Sequence, residues 1–261
     1  MGETVQSGHE DSAPDRGRRP CCPVVELRRY TLHPGRRDEL IALFDRELVD
    51  SQEATGMRVI GQFRDLGDPD RFVWLRGFPD MPSRARALAA FYGGPVWRAH
   101  RDAANATMID SDDVLLLRPA RPDSGFALAD GQRPAPGAAD SPGGLIVATI
   151  YYLHASGGTA FTAYFEAALR PILVDTGAEI VGTFVTEHAP NTYPALPVRA
   201  GDDVFMWVAR YPDLHAHERH TAALARAPRW CTAAGDVLTG RLQRPPEVLR
   251  LDPTARSLLR R

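Results

Sequence analysis

The densest group of side chains suited to chemistry is Tyr92, Trp97, Arg98, His100, Arg101, Asp102 and Asn105. On a helix, Trp97, Arg101 and Asn105 stand at i, i+4 and i+8 and share a face, while Arg98 and Asp102 share the neighbouring one. Gly93-Gly94-Pro95 breaks the pattern ahead of them and leaves backbone N–H groups free at the start of a new helical piece, a potential anion site. Read as a pocket wall, the group gives His100 the role of general acid or base near neutral pH. Arg76 or Arg101 then holds a carboxylate or enolate. Tyr30 joins Arg76 in holding the oxyanion, and Tyr92, Trp97, Arg101, Asn105 and Tyr151 contact the substrate. The competing reading is a helix packed by Trp97, with Arg and Asp in surface ion pairs and the tyrosines packed with satisfied hydroxyls.

Other chemistries find less support. His215, His217 and His220 lie beside Glu218, yet only His217 and His220 share a helical spacing, and no second cluster supplies further ligands. No bound metal is expected. The absence of Gly-x-Gly-x-x-Gly, P-loop and Gly-x-Ser-x-Gly patterns disfavours nucleotide binding and serine hydrolysis. The 31 basic residues are all Arg, which excludes a Schiff-base lysine and suggests a GC-rich, bacterial source.

The elements that must position these residues are organised by a repeat. Phe72-Val-Trp-Leu-Arg-Gly-Phe-Pro-Asp80 returns as Phe205-Met-Trp-Val-Ala-Arg-Tyr-Pro-Asp213 with the Phe-x-Trp and Pro-Asp frame intact. Gly56 to Phe63 matches Gly177 to Phe184 at an offset of 121, and Pro95-Val-Trp97 matches Pro228-Arg-Trp230 at 133. The jump of 12 places a longer hairpin in the second copy, around His188 to Arg199. At these offsets Trp74 is kept as Trp207 and Tyr30 as Tyr151, whereas Arg76 becomes Ala209 and His100 becomes Ala233. The tryptophans therefore read as architecture, and any site is asymmetric.

Within each copy the pattern is strand, helix, strand, strand, helix, strand. Val24 to Leu32 alternates as a strand. Arg36 to Thr55 carries a helical stripe of Leu40, Ile41, Phe44 and Leu48, with Gly56 as its stop. Met57 to Phe63 and Arg71 to Phe78 follow as strands. Helices are predicted from Ser83 to Tyr92 and from Val96 to about Thr107, and a last strand from Val114 to Arg118. In the second copy the strands are Leu145–Leu153, Ile180–Glu187, Val204–Tyr211 and Val248–Leu251, with helices at Thr159–Thr176 and Leu214–Trp230. This is an α+β protein of two tandem ferredoxin-like βαββαβ repeats packing sheet to sheet as an α/β barrel. The boundaries are a polar N-terminal segment at 1–23 expected to be disordered, repeats at 24–119 and 145–254, a solvent-exposed Pro/Gly/Ala linker at 120–144 and a basic tail at 255–261. The space between the sheets is the expected ligand cavity.

A length of 261 residues, 25% charged residues and a net charge of −2 fit a globular protein with no nucleic-acid or membrane partner. Cys21, Cys22 and Cys231 form no disulfide framework, and no signal peptide is evident, so a cytoplasmic location is expected.

Around Trp-Leu-Arg-Gly-Phe-Pro-Asp80 and Phe91-Tyr-Gly-Gly-Pro-Val-Trp-Arg-Ala-His-Arg-Asp-Ala-Ala-Asn-Ala-Thr-Met108 the chain resembles the NIPSNAP family, of actinobacterial type. The resemblance spans roughly Val24 to Thr254. It implies the dimeric α/β-barrel superfamily, whose members include cofactor-independent monooxygenases, isomerases and haem enzymes. The function expected is binding, and conversion by cofactor-independent acid/base chemistry, of a small apolar oxygenated metabolite, with homodimerisation as a further option. The alternatives are a non-catalytic interaction protein, whose inter-sheet space would be filled by side chains, and a haem protein ligated through His100, His188 or His217. Fold alone does not choose among them.

Overall fold

A computed structural model of the chain describes residues 21–128, 133–139, 144–154 and 157–260. The N-terminal stretch expected to be disordered therefore lies, up to residue 20, outside the described residues. The first repeat runs β1 (Val24–Leu32), α1 (Arg37–Leu43), a π-helical turn at Phe44–Leu48, α2 (Val49–Glu53), β2 (Arg58–Asp65), β3 (Arg71–Phe78), α3 (Met81–Tyr92), α4 (Pro95–Asn105) and β4 (Met108–Pro119). The second runs β5 (Leu145–Leu153), α5 (Gly158–Tyr164), a π-helical turn at Phe165–Leu169, α6 (Arg170–Asp175), β6 (Glu179–Thr186), β7 (Asp203–Tyr211), α7 (Leu214–Arg226), α8 (Pro228–Gly240) and β8 (Glu247–Pro253). The two π turns stand at the same place in both copies, and each turns a phenylalanine, Phe44 or Phe165, onto the sheet. Gly56 and Gly177 end these helices with φ of 95° and 108°, the left-handed conformation that glycine adopts without strain.

The strands close into one antiparallel barrel in the order β1-β3-β2-β8-β5-β7-β6-β4. Each repeat contributes a four-stranded half in the ferredoxin-like order, β4-β1-β3-β2 and β6-β7-β5-β8. Two short seams join the halves, Phe63–Asp65 with Leu251–Pro253 and Leu117–Pro119 with Phe184–Thr186. The sheet-to-sheet α/β barrel inferred from the repeat is present.

Alternation along the strands divides the side chains into two layers. Val25, Leu27, Val73 and Leu75 point into the barrel, where they meet Ile146, Ile150, Met206 and Leu249 of the other half in a continuous buried cluster. Val24, Tyr30, Phe72, Trp74 and Phe78 point outward and pack beneath the helices of the first repeat. Tyr151, Phe205, Trp207 and Tyr211 do the same in the second.

This corrects the expected location of the ligand space. Tyr30, Arg76 and Tyr151 belong to the helix-facing layers, and the space between the sheet halves is occupied by apolar side chains. Two further expectations change. The connection after β4 is not a bare solvent-exposed linker, because Phe126 is buried in the barrel core against Phe184, with ring centroids 4.6 Å apart. The residues after β8 are no loose tail: Leu259 joins the core, and buried Arg256 donates to Asp50 at 2.6 Å and to the Pro134 carbonyl at 2.9 Å.

Candidate active site

Glu26, Arg28 and Tyr30 alternate along β1 and so share its helix-facing side. Register sets Glu26 directly across from Arg76 and Arg28 across from Trp74 on β3. From above, α3 lowers Arg84 into the same layer, since Arg84, Leu88 and Phe91 lie on one buried face of that helix. The N-terminus of α3 is fixed by Asp80, whose carboxylate accepts from the Ser83 N–H at 2.6 Å.

Three guanidinium groups therefore converge on one carboxylate. Arg76 Nε donates to Glu26 Oε2 at 2.7 Å, Arg28 Nη1 to the same oxygen at 2.9 Å, and Arg84 Nε to Oε1 at 2.6 Å. All four side chains are fully buried. Neutral acceptors add to the shell: Tyr30 Oη takes Arg28 Nε at 3.0 Å, and Gln52 Oε1 and Tyr92 Oη each take Arg76 Nη1 at 3.4 Å. Arg76 also lies over the Trp74 ring, 5.0 Å from its centroid.

Burial by itself would raise the Glu26 pKa, but the charges of Arg76, Arg28 and Arg84 outweigh it and hold the carboxyl well below the usual range. Burial likewise raises the Tyr30 hydroxyl, against the pull of Arg28, so Tyr30 remains a phenol. The four ionic groups thus carry two positive charges in excess. A folded pKa below the unfolded one stabilises the fold fully above the ordinary glutamate value of about 4.3, and the gain fades as pH falls below it. Thermal melts of the wild type and a Glu26→Gln variant should accordingly differ most near neutral pH. The gap should narrow as the pH drops below about 4.3.

The roof over this layer comes from the other repeat. The long connection between β6 and β7 crosses to the first copy, where Asn191 Oδ1 and Thr192 Oγ1 accept from Arg84 Nη1 at 2.9 and 3.1 Å. Tyr193 stacks on Tyr92 with centroids 6.0 Å apart, and Trp97 stands edge-on to Tyr92 at 5.0 Å. Beside the roof, a surface pocket of about 800 Å³ is lined by Val24, Pro79, Asp80, Met81, Arg118 and Glu187, among others. Val24 precedes Glu26 by two residues on the same face of β1, so the pocket ends one row of side chains from the guanidinium cluster.

The layer at the matching place in the second repeat is different. Val147, Thr149, Ala209 and His217 replace Glu26, Arg28, Arg76 and Arg84. The asymmetry inferred from the sequence is thus deeper than the two positions that suggested it.

Of the residues singled out by sequence, Tyr30, Arg76 and Tyr92 meet in the cluster, and Trp97 packs on its aromatic side. His100 sits on the outer side of α4, about a third exposed, with Nε2 3.6 Å from Glu47. Arg101 and Asn105 face solvent, Arg101 paired with Asp102 at 3.3 Å. Tyr151 lies in the other repeat, packed on Phe161 at 5.2 Å. Sequence reasoning missed Glu26, Arg28, Arg84, Gln52 and the Asn191–Tyr193 roof. The period-two spacing of 26, 28 and 30 and the i, i+4, i+7 spacing of 84, 88 and 91 were the available signals.

Residues 25–122 match the family model described as NIPSNAP, a span holding the whole guanidinium cluster. The first repeat is a NIPSNAP domain. Across the larger part of the chain, similar folds are found in provisionally assigned monooxygenases of Lactobacillus acidophilus (13% identity, 89% of this chain and 94% of that one, TM-score 0.53) and Fusobacterium nucleatum (8%, 89% and 93%, 0.56). An anthrone oxidase-like protein is similar at 12% identity, with 88% and 91% covered and a TM-score of 0.50. These likenesses show the fold alone: a mixed α/β barrel of this kind. No curated protein sequence matches the chain. Among the described residues no helix is long and apolar enough to cross a membrane, and no cluster of His, Cys, Asp or Glu is arranged to hold a metal ion.

Proposed function

We propose that this NIPSNAP protein binds a small, largely apolar, oxygenated metabolite in the first repeat, between the helices and the outer face of the barrel. The apolar body occupies the 800 Å³ pocket, a volume suited to a small molecule, and the oxygenated end faces the guanidinium cluster. The observation that carries this reading is the buried excess of arginine in one repeat only. Burying unmatched charge is costly, and the second repeat packs the same layer with hardly any charge.

Guanidinium groups held in a dry layer are suited to stabilising an enolate or another oxyanion as it forms. Acid/base conversion without a bound cofactor follows as the proposed chemistry, with the Tyr30 phenol as a proton-bearing group beside Arg28. The fold's likeness to provisionally assigned monooxygenases and to an anthrone oxidase-like protein agrees with a small oxygenated substrate.

A second reading, a non-catalytic interaction protein, draws support from the filled barrel interior, which that reading requires. Native mass spectrometry of protein purified from its own host, beside the same sample denatured, separates the two. A small organic molecule held in the native sample and released on denaturation is the expected result. A bare mass, persisting after incubation in host extract, overturns the binding reading.

A further inference from the structure

The charge excess points to a particular kind of ligand and to a moving part. Arg84 is fully buried, and its Nη2 has no hydrogen-bond acceptor. Its Nη1 is met only by the neutral oxygens of Asn191 and Thr192. A buried guanidinium in a cluster with two positive charges in excess calls for an anion, which supplies the opposing charge and can take the guanidinium fork with two oxygens at once.

The neutral oxygens sit on a separable piece of chain. The connection from Glu187 to Asp202 holds 16 residues, against five between β2 and β3. It is anchored at its ends, by Glu187 N–H to the Leu116 carbonyl at 2.9 Å and by Arg199, whose N–H donates to the Val114 carbonyl at 2.9 Å and whose side chain donates to Asp113 at 3.0 Å. Between these anchors it is bonded largely to itself. Asn191 Nδ2 donates to the Leu196 carbonyl at 2.9 Å, and Tyr193 N–H to Asn191 Oδ1 at 3.0 Å. Between the anchors its polar hold on the first repeat is Arg84 and a 3.2 Å bond from Thr192 Oγ1 to the Met81 carbonyl, while Tyr193, Leu196 and Val198 pack on the helix-facing cluster of that repeat. Met81 and Glu187 also line the 800 Å³ pocket, so the strap borders the space from which a ligand would approach.

We infer that the site takes a two-oxygen anion, a carboxylate or a phosphate monoester on an apolar body, seated on Arg84. Asn191 and Thr192 hold that anion's place and swing away with the strap when it binds. The inference rests on the binding reading above and makes the second repeat a lid for the first.

The test is calorimetric titration of the full chain with phenylacetate, phenyl phosphate and the neutral phenylacetamide. One of the two acids should bind and the amide should not, and which acid binds distinguishes the two anions. Removing the place-holders in Asn191→Ala/Thr192→Ala should tighten binding of that acid about tenfold, since two hydrogen bonds from Arg84 no longer compete. Arg84→Met should abolish it. Should that variant fail to fold, Arg84→Lys keeps the charge, loses the fork and should weaken binding by about tenfold or more with its melting temperature near wild type. Equal binding of amide and acid, or a double variant that binds the acid no more tightly, overturns the anion and lid while leaving the binding reading intact. Failure of all three compounds to bind overturns the inference, and native mass spectrometry then decides the reading beneath it.

Discussion

Glu26→Ala should be among the most damaging single substitutions in the chain, lowering stability by roughly 3–5 kcal/mol. It deletes the one carboxylate on which Arg28, Arg76 and Arg84 converge and leaves three guanidinium groups buried without a counter-charge. For a domain of 150–250 residues this corresponds to a loss of roughly 6–20 °C in melting temperature. The second repeat supplies an informative control. Its layer is built from Val147, Thr149, Ala209 and His217, so the quadruple variant Glu26→Val/Arg28→Thr/Arg76→Ala/Arg84→His copies a packing this fold already tolerates. That variant should melt above Glu26→Ala, because buried ionic networks are often replaceable by apolar groups at little cost. If it does, the loss in Glu26→Ala came from uncompensated charge, and the first repeat keeps its ions for something other than stability. If the quadruple variant melts below Glu26→Ala, the network is a packing device and the case for an anion site weakens.

The repeat made the architecture legible. Once Trp74 and Trp207 lay at the same place in two copies, the order of strands and helices followed, and with it the pairing of two sheet halves in one barrel. The face of each strand was not legible in the same way. Sheet side chains have a period of two, so the pattern separates two sets of residues without saying which set meets the helices. Both faces of β1 are buried, and the contrast that usually marks the inner face is missing. The sequence therefore leaves the face of Tyr30 and Arg76 open, and in the structure both lie on the helix-facing side, away from the expected inter-sheet space. The polar partners were harder to find for a different reason. Glu26, Arg28 and Arg84 look like ordinary surface charges, and only the β1–β3 register and the depth of α3 bring them together. His100 errs in the other direction. Its segment is rich in reactive types, yet α4 buries only Ala104 and turns the histidine towards Glu47.

Phe126→Ala tests the other place where sequence and structure part. The stretch after β4 is rich in Pro, Gly, Ala and Asp, and a single phenylalanine in such a segment reads as a residue of no consequence. In the structure it is 1% exposed and packs on Phe184 in the barrel core. Gly182 leaves room for it, since a Cβ there would come within 3.2 Å of the Phe126 ring. The chain is pinned here as well, with Ser124 Oγ donating to the Thr183 carbonyl at 2.9 Å and Cys21 N–H to the Phe126 carbonyl at 3.0 Å. Truncating a buried phenylalanine costs about 3–5 kcal/mol, so Phe126→Ala should unfold at clearly lower denaturant than the wild type. A residue in a bare linker would shift the midpoint hardly at all. Phe126→Leu, which keeps most of the apolar volume, should recover much of the loss. Because the ring fills the barrel beside the seam of β4 and β6, cleavage of the connection after residue 128 should leave the barrel folded. Deletion of residues 121–128 should not, and circular dichroism of the cleaved and the deleted protein decides between a tether and a structural plug.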